Sequence, residues 1–138
     1  MREINTVIIH CSYTPANMDI GVPEIRRWHV EDNRWRDIGY HYVIRRSGIL
    51  EVGRPIEQAG AHTLGQNQHS IGVCLVGGRA TGSKPQCNFT PQQWDTLRDL
   101  VLELMAEHPN LRVHGHNYFT SEKTCPTFDV EAWAVGLR

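Results

Sequence analysis

The run Thr6-Val7-Ile8-Ile9-His10 constrains the fold more than any other stretch of the chain. Its first four residues all branch at Cβ, which restricts them in a helix and suits them to a pleated strand. An unbroken apolar run of this length reads as a strand. Further strand candidates are His41 to Arg45, Ile49 to Val52, Ser70 to Val76 and Leu111 to His114, with Ser47-Gly48 suited to a turn between the first two of these. Two helices are signalled more clearly. One is predicted from Pro23 to Glu31, with proline in the first turn where its missing N–H costs nothing, and with Ile25 and Trp28 facing inward. The other begins at Thr90-Pro91-Gln92-Gln93, a capping box in which Thr90 and Gln93 satisfy each other's backbone N–H groups. Trp94, Leu97, Val101, Leu104 and Met105 then recur at helical spacing as one core-facing stripe. A short helix around Val130 to Trp133 closes the pattern. Strands interleaved with helices predict an α/β fold: a single domain over residues 1–138 with a mixed central β-sheet flanked by helices.

A chain of 138 residues buries roughly two-thirds of the surface it exposes when unfolded, enough to fold without disulfides or a structural metal. Any metal is therefore expected to serve function. The formal charge of −1 offers no basic field for nucleic acid, which makes nucleic acid a poor partner. The opening residues pass too quickly into a brief apolar run to form a signal peptide, and no stretch has the length of a membrane span. Synthesis in the cytosol follows, with export left to another agent. Cys11, Cys74, Cys87 and Cys125 form no C-x-x-C pair and are expected to stay reduced. Cys74 lies in an apolar run, and Cys11 follows His10 on a strand and so points to the other face; both are assigned to packing.

His10 ends the first apolar strand. His114 and His116 follow another, and Cys125 comes nine residues after His116. Two histidines and a cysteine form a borderline-soft set that suits zinc, and three protein ligands leave a fourth position open for water. Spacing alone leaves the plainer reading standing: a hydrogen-bonded core histidine and two solvated loop histidines.

Five ordered blocks change the balance. They are Val7-Ile8-Ile9-His10-Cys11-Ser12, Ile38-Gly39-Tyr40-His41-Tyr42-Val43-Ile44, His69-Ser70-Ile71-Gly72-Val73-Cys74-Leu75-Val76-Gly77-Gly78, Asn88-Phe89-Thr90-Pro91 and Lys123-Thr124-Cys125-Pro126-Thr127-Phe128-Asp129. In this order they resemble the type-2 zinc N-acetylmuramoyl-L-alanine amidases, above all the small phage lysozyme-amidases (endolysins), and more distantly the animal peptidoglycan-recognition proteins. The resemblance implies a Zn2+ ion held by His10, His116 and Cys125, with His116 chosen over His114 for its Gly-His pairing. It places Tyr40 and Lys123 at the two catalytic positions and His62 and Asn67 in the substrate groove. His41 and His69 have less support as groove or supporting residues.

The implied reaction is hydrolysis of the amide between N-acetylmuramic acid and L-alanine in peptidoglycan, in the manner of a phage or prophage endolysin. Lys123 would stabilise the developing oxyanion, and Tyr40 would hydrogen-bond the attacking water or relay a proton. One alternative is a module that binds peptidoglycan without cutting it, although Cys125, whose loss would mark such a module, is present. Another is an amidase that also inhibits a phage RNA polymerase, for which the few residues ahead of the first strand offer only a short arm. A monomer is expected, made in the host cytoplasm and acting on the cell wall after release. The lack of a separate wall-binding domain suits a thin, Gram-negative wall.

Overall fold

The apolar run at the start forms the strand Thr6–Cys11 (β1), and all six of its residues are buried. This computed structural model describes residues 2–137, so the first and last residues of the expected 1–138 domain lie outside it. After β1 come β2 (Thr14–Pro15), α1 (Val22–Arg27), β3 (Tyr42–Ile44), β4 (Leu50–Val52), β5 (Ser70–Leu75) and β6 (Gly78–Arg79). The long helix α2 (Pro91–Glu107), β7 (Arg112–Gly115), the single turn α3 (His116–Phe119) and α4 (Val130–Val135) complete the chain.

Five strands form one sheet in the order β4-β3-β5-β1-β7. β1 runs parallel to both β5 and β7, β3 runs parallel to β5, and only β4 is antiparallel. The sheet is mixed and flanked by helices, as the sequence predicts. β1 has strands on both sides and helices over both faces, which explains why its run is apolar without alternation. On one face Val7, Ile9 and Cys11 pack with Leu97, Leu100, Val101 and Leu104 of α2. On the other, Val43, Cys74 and Val76 pack with Val22 and Ile25 of α1 and with Ile38. Each such aliphatic side chain contributes about 1.5 to 3 kcal/mol when fully buried.

The first helix is shorter than predicted. Its α-helical part ends at Arg27, and Trp28–Asp32 continue as one wider turn closed by Asn33 N–H donating to the Trp28 carbonyl. In that turn the His29 ring accepts the Gly39 N–H at 2.9 Å, a tertiary bond that periodicity cannot foresee. Trp28 is half-buried against the second core cluster. The hairpin at Ser47-Gly48 forms with Gly48 at φ +91°, a conformation open to glycine at little cost.

The capping box at α2 does more than start a helix. Thr90 Oγ1 accepts the Gln93 N–H at 3.1 Å, and Gln93 Oε1 accepts the Thr90 N–H at 3.0 Å. The same fully buried Gln93 donates from Nε2 to the carbonyls of Ile44 and Val76, tying α2 to the ends of β3 and β5. Replacing Gln93 with alanine leaves both carbonyls without this donor, so Gln93→Ala is expected to cost on the order of 3 kcal/mol in urea denaturation.

His41 is also buried and fully committed. Its Nδ1 accepts the Gly72 N–H at 3.0 Å and its Nε2 donates to the Gln58 carbonyl at 2.8 Å. Protonation would set a donor against the Gly72 N–H. Burial accordingly pushes the His41 pKa down to about 4, and the Arg2 and Arg54 charges act in the same direction. Because the unfolded chain binds this proton near pH 6.5, the stabilisation is present above pH 6.5 and is lost as pH falls toward 4. Denaturation between pH 7.5 and 4 is expected to show a loss on the order of 3 kcal/mol from this residue. A His41→Gln variant should have a shallower slope.

Candidate metal centre and active site

Strand register brings the first two candidate ligands together. Ile9 of β1 lies opposite Gly115 of β7, so the next residue on each chain, His10 and His116, emerges beside the other. Their ring centroids are 4.6 Å apart. Cys125 arrives from the loop after α3, where its carbonyl accepts the Asn117 N–H and its Sγ accepts the Cys11 N–H at 2.9 Å. One ligating atom from each of His10, His116 and Cys125 lies within 4.8 Å of the others. A single ion bonded at about 2.0 to 2.3 Å to each donor can bridge such a span with small side-chain adjustment.

The electrostatics suit a cation. Burial pushes the His10 pKa well below its ordinary value, with His62 and His116 adding to the effect. Burial, then the Lys123 charge, lowers that of His116. Both imidazoles are therefore neutral and keep a lone pair for a metal. The hydrogen bond with Cys11 and burial push the Cys125 thiol up, so an ion must displace its proton on binding. Two neutral imidazoles and a displaceable thiol beside an open cavity fit the donor set of a catalytic zinc site.

That cavity has a volume of about 350 Å³ and is lined by Tyr40, Lys123, His116, Cys125, Cys11 and Glu122, among others. A larger, more open cleft of about 830 Å³ adjoins it and shares Lys123 and Thr124. The Tyr40 ring centroid is 5.1 Å from that of His10 and 5.5 Å from that of His29. Burial raises the Tyr40 pKa well above that of a free phenol, so its hydroxyl keeps its proton.

His114, the alternative to His116, lies outside the cluster. Its Nδ1 is 3.0 Å from Glu131 Oε2 and its ring stacks on Tyr118 with centroids 3.9 Å apart. His62 sits behind His10, with Nδ1 2.9 Å from His10 Nε2. Asn67 supports that loop, its Oδ1 accepting the N–H groups of His62 and Thr63. His69 bonds the Glu3 carbonyl. Sequence reasoning missed the contact between the Cys11 amide and Cys125, and the buried Thr63, whose Oγ1 is 3.3 Å from His10 Nε2. It assigned Cys11 to packing; the side chain does join the core cluster, but it also borders the cavity beside Cys125, and a backbone N–H leaves no mark in residue type.

Known proteins resemble the chain along nearly its whole length. The family model described as N-acetylmuramoyl-L-alanine amidase matches residues 1–128. The endolysin of Enterobacteria phage K11 is 45% identical over 132 residues, covering 96% of this chain and 86% of that protein. Among solved structures, the endolysine N-acetylmuramoyl-L-alanine amidase LysCS from Clostridium intestinale superposes with a TM-score of 0.78 at 26% identity, covering 97% of this chain and 82% of that one. Wild-type Drosophila PGRP-LB gives a TM-score of 0.78 at 26% identity, covering 96% and 80%. Likeness in sequence and in fold thus extends over the same residues that build the cluster, and the chain belongs to the N-acetylmuramoyl-L-alanine amidase family.

Proposed function

We propose that this amidase depends on a zinc ion held by His10, His116 and Cys125, with Tyr40 and Lys123 as its catalytic side chains, and that it serves as an endolysin. The bond cut joins N-acetylmuramic acid to L-alanine in peptidoglycan. The observation that carries the reading is the convergence of three ligating atoms within 4.8 Å, beside a cavity that also holds Tyr40 and Lys123. Zinc, when bound, lowers the pKa of coordinated water toward about 7 and polarises a carbonyl oxygen.

The side chains divide the remaining work. Lys123 brings an ammonium to the cavity, where it stabilises negative charge developing on the carbonyl oxygen. Tyr40 keeps its phenolic proton and so can donate a hydrogen bond to that oxygen or to the departing nitrogen. The Cys11 N–H donates to Cys125 Sγ and would orient the thiolate. The adjoining cleft leaves room for a polymer to run past the reacting bond.

As an endolysin the protein is made in the host cytoplasm and meets the wall after release. No helix among the described residues is long and apolar enough to cross a membrane.

Digestion of purified peptidoglycan, with and without chelator, tests the proposal. Mass analysis should find a new amine at the N-terminus of L-alanine, no new reducing sugar, and loss of products on metal removal. Full activity in metal-free protein would overturn the zinc assignment. Reducing ends without free amines would overturn the reaction itself.

A further inference from the structure

His62 faces His10 across 52 positions of sequence, and the bonds around its ring define where its proton lies. Ser70 Oγ donates to the Gln66 carbonyl at 2.7 Å, so toward His62 Nε2, 3.4 Å away, that oxygen offers only lone pairs. His62 Nε2 therefore carries the hydrogen, and Nδ1 is left as an acceptor. The partner of Nδ1 is His10 Nε2 at 2.9 Å, which must then donate. A neutral imidazole with its proton on Nε2 presents a bare Nδ1.

We infer that His62 is a positioning residue of the metal centre: a hydrogen-bond relay running from the Gln66 carbonyl through Ser70 and His62 fixes His10 as the Nε2–H tautomer and leaves Nδ1 to the ion. The inference rests on the zinc reading for its last link only. The packing supports it, since a methyl group at Gly72 would lie 2.6 Å from the His62 ring and one at Gly60 would also lie 2.6 Å from it. The ring thus occupies a slot cleared by two glycines. Asn67 holds the same loop by its backbone, and buried Thr63 offers its hydroxyl 3.1 Å from His62 Nδ1. With its hydrogen-bonding atoms engaged in this way, His62 acts through His10, whereas a groove residue would meet the substrate directly. Ligands to a metal commonly need such an outer partner, and its loss weakens metal binding by about 10- to 100-fold.

The relay is testable without the metal. Nitrogen-15 NMR of the histidine rings in metal-free protein should show Nε2–H tautomers for both His10 and His62. A proton on Nδ1 of either ring would overturn the relay. In metal-loaded protein, chelator competition should find zinc held about 10- to 100-fold more weakly in His62→Phe. His62→Gln, whose carbonyl can still accept from His10, should recover much of that loss. Ser70→Ala, which removes only the far end of the relay, should weaken zinc by about 10-fold. At saturating zinc KM should stay unchanged in all three. A raised KM with unaltered zinc affinity would instead make His62 a substrate residue and refute the inference. If His62→Phe fails to fold, Ser70→Ala and the ring tautomers carry the test. Wild-type protein that binds no zinc yet shows both tautomers would sink the zinc assignment and leave the relay standing.

Discussion

Cys125→Ser and His10→Ala proteins are expected to retain their fold, lose zinc and show no hydrolysis above background. Each removes one of the three clustered donors; Cys74 lies buried in the core and His114 is engaged with Glu131 and Tyr118, so neither stands in for the lost group. Serine offers zinc a far poorer ligand than a thiolate. The fold should survive because the two clusters that flank the sheet are built mainly from aliphatic side chains that do not ligate the ion. Metal analysis beside circular dichroism checks both halves. Global unfolding of either variant, or of wild type with chelator, would show that the ion carries structural weight.

Tyr40→Phe and Lys123→Ala should keep zinc and bind substrate, yet lower kcat by about 100-fold or more, the scale of losing a proton-transfer group or an oxyanion donor. Tyr40→Phe keeps the ring that packs beside His10 and removes only the hydroxyl. Lys123 is exposed, so its removal should leave stability unaltered. Steady-state kinetics separates the alternatives. If KM rises while kcat holds, the lost interaction was made equally in ground and transition states, and both residues belong to the substrate groove.

The parts of this fold legible in the sequence are those where a local pattern and the tertiary outcome agree. Thr6 to Ile9 is an unbroken β-branched run in a strand covered on both sides, and α2 starts where Thr90 and Gln93 can cap each other. The paired segments β2 and β6 were not legible, since two residues cannot display a period. Neither was α3, a single turn whose His116 is placed by register with β1 and not by helical patterning. The proposed ligand set came from family resemblance, because spacing alone left His10 readable as a core histidine. The position of the His62 ring was hidden for a different reason: it depends on space left by Gly60 and Gly72, and an absent side chain carries no pattern.

β1 leaves the ribosome well ahead of its neighbours β5 and β7, and the contact between Cys11 and Cys125 spans 114 positions. Closing so long a loop must precede the contacts that repay it, which makes folding of such a sheet slow relative to a helical bundle. Until then the Val7-Ile8-Ile9 run waits unpaired, a strand edge open to association with other chains. A product that stops short of Cys125 lacks one of the three proposed ligands. On that reading lytic capacity does not grow with chain length but switches on once Cys125 has been made.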